Sequence, residues 1–213
     1  MWIICIPCGF TNANKKGDAE EWFSNNYKSI YTYLVNIEKE LSKNRSSKSK
    51  GLYKRDDQGD YWWELRSCKY MDEFNKQKII YPCIMPKSPS FILDEKAEFY
   101  TIAPGNIITG KHLKFLNACL NSSVFYFALR KYYMGGGIEG ELKTNRLLIL
   151  PVPKSEDVEY ENAKKIEDLY NKIINNISNK EIFNNCLNRI DCLLSSSLNL
   201  TEEEYSYIIN SIF

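Results

Sequence analysis

The chain has 213 residues, of which 44% are hydrophobic, 14% aromatic and 26% charged. These fractions exclude a wholly disordered chain and a collagen-like repeat. The net charge of +1, from 28 basic and 27 acidic residues, by itself argues against a nucleic-acid binder. The total conceals a division, however. Residues 43–154 carry 19 basic against 11 acidic side chains, a net of +8, whereas residues 155–213 carry 5 against 11, a net of −6. A basic middle joined to an acidic tail points to an anionic partner for the middle.

In chain order, Trp2 to Pro7 is a short apolar run of β-formers closed by Pro7 and Gly9, which predicts a buried strand. It begins straight after Met1 with no lead-in, as expected of a piece of a longer protein. Asp18 to about Lys43 predicts one helix, with Asp18 as N-cap and Trp22, Ile30, Leu34, Ile37 and Leu41 at helical spacing. Asn44 to Gly59 is polar and rich in Ser and Lys, and is expected to be a loop. Strands are expected over Lys78–Pro82, Ser90–Leu93 and Phe99–Ala103. A helix follows from Lys111 to about Tyr133, then a glycine turn at residues 135–137 and a buried strand over Arg146–Leu150. Beyond Pro153 the pattern turns helical, with helices over Ser155–Ile177 and Lys180–Leu198. Thr201-Glu-Glu-Glu204 is a capping box that opens a last helix. The expected fold is a mixed α+β body over residues 1–154 with an acidic helical tail over 155–213, packed on the body or on a region outside the chain.

The motifs that carry chemistry are sparse. Cys5-Ile-Pro-Cys8 is the only CxxC, with no second ligand pair for zinc and no helix start to activate a thiol. Two buried thiols are expected there. The glycines of Met134-Gly-Gly-Gly-Ile-Glu-Gly140 follow a helix and lack the Gly-Lys-Ser/Thr of a phosphate loop. His112 stands in no motif and is read as structural, and no catalytic constellation emerges. Seven cysteines and one histidine without regular spacing fit the reduced thiols of a cytoplasm. No apolar run reaches the ~18 residues of a membrane span.

What remains is basic and aromatic. Tyr61-Trp-Trp-Glu-Leu-Arg-Ser-Cys-Lys-Tyr70 sets two Trp beside Arg66 and Lys69, with Lys76, Lys78 and Lys87 following. Such cations neutralise phosphates, and Arg also reads guanine edges. The alternative is that Trp62 and Trp63 are core and the cations a solvated rim.

Several of these stretches, in this order, resemble the TaqI-like C-terminal specificity domain of type IIG restriction-modification enzymes and related adenine DNA methyltransferases. They are residues 62–70, Phe74 with Lys78–Pro82, Leu116 to Asn121 followed by Ser122, and Leu148-Ile-Leu-Pro-Val-Pro153. Ile6-Pro-Cys-Gly-Phe-Thr11, Ile190-Asp191 and Leu200 to Glu204 fit the outer parts of that domain, so the resemblance covers nearly the whole chain. It implies recognition of double-stranded DNA, positioning a target adenine for a catalytic region that flips the base out. No glycine-rich S-adenosylmethionine motif and no Asn-Pro-Pro-Tyr motif occurs in the chain. Methylation and cleavage, with S-adenosylmethionine, are therefore expected of an upstream catalytic region of the same parent protein, and no cofactor or catalytic residue of this chain. Contact candidates, chosen for residue chemistry, are Arg66, Lys69, Lys76 and Lys87, with Lys143, Thr144 and Asn145 after the glycine turn. The rival readings are a protein-interaction module assembling a complex through its C-terminal helices, and a small enzyme using Cys5 and Cys8.

Overall fold

The computed structural model describes residues 2–43, 50–135, 137, 139–154 and 160–212. The fold is α+β, with helices around a small antiparallel sheet. The chain divides into two compact units, Met1–Asp72 and Glu73–Phe213. The boundary thus falls after Asp72 and not after Lys154, where the charge changes sign. Packing explains this, because Ile166, Leu169, Ile190 and Leu194 of the acidic tail share one buried cluster with Ile79 and Tyr81.

The first unit is helical. After α1 (Phe10–Asn14), the Asp18 carboxylate accepts the Glu21 amide at 2.9 Å and starts α2 (Ala19–Asn26). The predicted single helix breaks at Tyr27 and resumes as α3 (Lys28–Lys43). The Asn25-Asn26 pair, weak in helices, precedes the break. Trp63 organises the interior. Its ring lies flat between Phe23, with centroids 4.9 Å apart, and Tyr61 at 5.0 Å. Its indole N–H donates to Thr11 Oγ1 at 2.9 Å. Buried rings with a satisfied polar tip of this kind are core, and each ring pair adds about 0.5–1.5 kcal/mol beyond its area.

The expected buried strand at residues 2–7 is not formed. Residues 2–5 have no regular structure and are exposed, Trp2 completely so, Ile6 is buried and Pro7 half-buried. Strand propensity needs a pairing edge, and the backbone bonds found here are Leu65 N–H to the Ile6 carbonyl at 2.8 Å and Phe10 N–H to the Pro7 carbonyl at 3.1 Å, a single long-range bond and a turn. Residues 44–49 of the expected loop lie outside the described residues, and residues 50–59 form turns and irregular chain.

In the second unit β1 (Lys78–Pro82) is central, flanked antiparallel by β2 (Ile92–Asp94) and β3 (Gly105–Thr109). Lys78 stands opposite Asp94 in the register, and its ammonium meets Asp94 Oδ2 at 2.5 Å and the Phe74 carbonyl at 2.8 Å, wholly out of solvent. The strand expected at 99–103 does not form. Asp94 accepts the amides of Glu98 and Phe99, at 3.1 and 2.9 Å, in a side-chain turn that competes with strand pairing. The third strand therefore comes later, at Gly105.

The helix expected from 111 to 133 is broken at Ser122. Its hydroxyl caps α5 (Ser123–Ala128) through the Phe125 amide and donates to Cys119 at the end of α4 (Leu113–Asn121). A π-helical turn, Leu129–Tyr133, follows. The buried strand expected over Arg146–Leu150 is instead a helical turn, α6 (Thr144–Leu147), because the Lys143 carbonyl accepts the amides of Arg146 and Leu147. Leu150 turns inward, while Leu148 and Ile149 are left 79% and 63% exposed.

Last come α7 (Tyr160–Asn175), α8 (Lys180–Ser197) and α9 (Glu202–Ile212). The capping box forms as expected, with Thr201 Oγ1 accepting the Glu204 amide and Glu204 Oε2 the Thr201 amide. Asp191 on α8 accepts the Ser123 amide at 2.8 Å, tying the tail to the start of α5. Among the described residues, no helix is long and apolar enough to cross a membrane.

Burial alone would raise the Asp94 carboxyl, but the Lys78 ammonium and the Phe99 and Glu98 amides outweigh it and hold its pKa below the ordinary value. A lowered carboxylate pKa contributes stability that is present above the unfolded value, about 4, and is lost as pH falls through the folded one. Asp94→Asn removes the anion and leaves Lys78 buried against a neutral amide. A loss of about 3–5 kcal/mol is expected in urea unfolding at neutral pH, and the difference from wild type should shrink on acidification.

Candidate nucleic-acid interface

The end of β1 leads directly to a basic surface on the second unit. Beyond Pro82 the chain continues through residues 83–87 and pairs with residues 140–142. The Leu142 amide donates to the Cys83 carbonyl at 2.7 Å, and the Met85 amide to the Gly140 carbonyl at 2.8 Å. Gly140 has φ +78°, and a Cβ there would sit 2.5 Å from the Met85 carbonyl oxygen, so this close approach requires glycine. Gly136 of the expected glycine turn, and Ile138 just after it, lie outside the described residues.

Two contacts then gather the cations. The Tyr126 phenol donates to the Pro86 carbonyl at 2.5 Å, which fixes the chain immediately before Lys87. One turn beyond Tyr126, the Arg130 guanidinium lies over the Tyr126 ring at 6.0 Å, and the Lys131 ammonium lies 5.9 Å from the Phe127 ring centre. Lys87, Arg130 and Lys131 thereby line one concavity of about 490 Å³, together with Phe127 and Glu139. Glu139 is the acidic member, 3.4 Å from Arg130 and itself largely exposed, so the pair is weak.

The π-helical turn that presents Arg130 and Lys131 packs on α6. Such turns are rare and frequently mark functional positions. Around α6 stand Lys143, Thr144, Asn145 and Arg146, all exposed. Lys143 lies 3.5 Å from Glu141. Burial pushes the Tyr81 phenol up, and the nearby Thr144 hydroxyl offsets part of that push. The side chains of Asn145 and Arg146 face solvent.

The remaining predicted residues are placed differently. Lys76 lies at the opposite end of β1 from Lys87, ion-paired to Glu73 at 2.6 Å. Arg66 and Lys69 are exposed on the first unit, after the Trp62-Trp63 pair. Sequence reasoning missed Arg130, Lys131 and Arg146. The available signal was a basic pair among Tyr126, Phe127, Tyr132 and Tyr133, and the Lys143/Arg146 spacing of one helical turn. Both were absorbed into elements assigned by their apolar residues.

The first unit also offers a cluster with metal-ligand chemistry. Cys8, Asp60 and Glu64 bring ligand atoms within 4.8 Å of one another. Glu64, however, already accepts three backbone N–H groups, from Thr11 at 2.8 Å, Asp60 at 3.0 Å and Gly9 at 3.2 Å. Donors aimed at a carboxylate suit an anion and oppose a cation, so Glu64 is a lock between two turns. The CxxC thiols are not buried as expected, Cys5 being exposed and Cys8 half-buried. Local desolvation and the neighbouring Cys68 push the Cys5 thiol up, the reverse of what a reactive thiol needs. No family model matches the chain, and no curated protein matches it.

The lock has a direct test. Glu64→Gln turns an acceptor into a donor against buried amides and is expected to cost about 1–3 kcal/mol. Cys8→Ser should stay within about 0.5 kcal/mol, since it touches no buried network. Thermal unfolding of the two variants beside wild type reads both.

Proposed function

We propose that this chain is a sequence-specific recognition module for double-stranded DNA, belonging to a cytoplasmic restriction-modification methyltransferase or endonuclease. The observation that carries the reading is the convergence of Lys87, Arg130 and Lys131 in one concavity beside the α6 turn with Lys143, Asn145 and Arg146. The resemblance of residues 62–70, 78–82 and 148–153 to the TaqI-like specificity domain points the same way.

In this reading the ring-supported cations hold phosphates and fix the register of the duplex, while Asn145 and Arg146 reach base edges. An Asn side chain pairs bidentately with adenine and an Arg with guanine. The chain positions DNA and performs no bond-breaking step. Methyl transfer, with S-adenosylmethionine, belongs to a catalytic region of the parent protein, and that region and the DNA are the two partners. The protein-interaction alternative draws less support. Much of the apolar surface of α7 and α8 (Ile166, Leu169, Ile190 and Leu194) is buried against α4 and between the two helices, in the unit's own interior, although Ile174 stays exposed.

Fluorescence anisotropy with mixed-sequence duplexes tests the proposal. Affinity should fall steeply with salt, and the double variant Arg130→Ala/Lys131→Ala should flatten the slope of log K against log salt by about 2. Lys76→Ala, already neutralised by Glu73, should leave it unchanged. Asn145→Ala should relax sequence preference, by about 1–3 kcal/mol at its base, with the salt slope retained. Absence of salt-dependent binding at low ionic strength overturns the reading.

A further inference from the structure

The turn that carries Asn145 and Arg146 also presents two large aliphatic side chains. Its helical hydrogen bonding runs past Leu147. The Leu148 amide donates to the Thr144 carbonyl at 3.0 Å, the Ile149 amide to the Arg146 carbonyl at 3.3 Å and the Leu150 amide to the Leu147 carbonyl at 3.1 Å. Leu148 itself has helical backbone angles, φ −62° and ψ −21°. Residues three and four apart in such a turn are surface neighbours. Leu148 and Ile149 therefore stand one turn beyond Asn145, and Ile149 also one turn beyond Arg146.

The turn is anchored by its other side, since Leu147 and Leu150 pack in the core of the unit. Leu148 and Ile149 cannot follow them inward and are left 79% and 63% exposed. A lone exposed aliphatic is ordinary on a protein surface. Two adjacent ones, fixed in a hydrogen-bonded turn beside Lys143 and Arg146, make a contact face that is apolar and cationic at once. The cations call for an anionic partner, and the aliphatic pair calls for an apolar group on that partner. Duplex DNA meets both demands. The apolar group its major groove displays is the thymine C5 methyl, which belongs to the same base pair as the adenine that an Asn reads.

We infer that Leu148 and Ile149 read thymine methyl groups beside the adenine taken by Asn145, so that this face of the turn selects A·T pairs. The inference rests on the DNA reading and names a part of the sequence it recognises. Asn145 alone would accept adenine paired with uracil as readily as with thymine, whereas the aliphatic pair responds to the methyl group itself. Burying one methyl against an aliphatic surface is worth about fourfold in affinity.

The full chain is used to enrich duplexes from a randomised pool, and the enriched site is remade with deoxyuridine at each thymidine in turn. That exchange removes a methyl group and leaves charge and base pairing intact. By fluorescence anisotropy, deoxyuridine at an A·T pair of the site should weaken binding about fourfold. In Leu148→Ala/Ile149→Ala the loss should vanish while the salt dependence stays that of wild type, because no charge has changed. Leu148→Val/Ile149→Val should retain it. Deoxyuridine without effect on wild type, as when the aliphatic pair wedges between base steps or docks a catalytic region, overturns the inference and leaves the DNA reading standing. An effect that survives in the double alanine variant does the same. Absence of binding, or of any enriched sequence, overturns both. The deoxyuridine series on wild type decides the matter even where the double variant folds poorly.

Discussion

The buried ion pair of Lys78 and Asp94 sets the geometry on which the second unit depends. A lysine held wholly out of water is tolerated only with its charge met, and here Asp94 and the Phe74 carbonyl meet it. The pair joins residues directly opposed in the β1–β2 register, so a slip of one residue would place an unpaired ammonium in the interior. Asp94 simultaneously accepts the amides that begin the following turn, so one carboxylate fixes both the pairing and the end of β2.

With β1 fixed at its start, its far end has little freedom. The strand runs into the paired segment at Cys83 and Met85, where Gly140 permits the close approach of the returning chain. Tyr126 then holds Pro86 and supports Arg130, which sets Lys87 beside the cations of the π-helical turn. Of the cations of the basic middle, Lys87, Arg130 and Lys131 gather beyond this end of β1, whereas Arg66 and Lys69 stand on the first unit and Lys76 at the opposite end of the strand. The acidic tail packs its apolar side on α4.

The parts legible in the sequence were those with a strong local signal. Asp18 and the Thr201 to Glu204 box were read as caps and act as caps, because a side chain three residues from an amide needs no tertiary context. The β1 strand was legible from Lys78-Ile-Ile-Tyr-Pro82. Short apolar runs were not, since Trp2 to Pro7 and Arg146 to Leu150 read as buried strands under any periodicity rule. One finds no sheet edge to join, and the other is taken into a helical turn by the Lys143 carbonyl. For the basic surface, Lys87, Lys143 and Asn145 were legible as loop residues with suitable chemistry. Their union with Arg130 and Lys131 depends on Tyr126 reaching Pro86 across forty residues of chain, which no local pattern encodes.

The central claim is that this gathered surface is the face that meets DNA. Backbone amide shifts of the full chain, followed while a mixed-sequence duplex is added at low salt, test it most directly. Lys87, Arg130, Lys131 and residues 143–146 are expected to move together and to reverse on adding salt, while Lys76 and the exposed faces of α7 and α8 stay still. Shifts centred on those helices, or none at all, would contradict it.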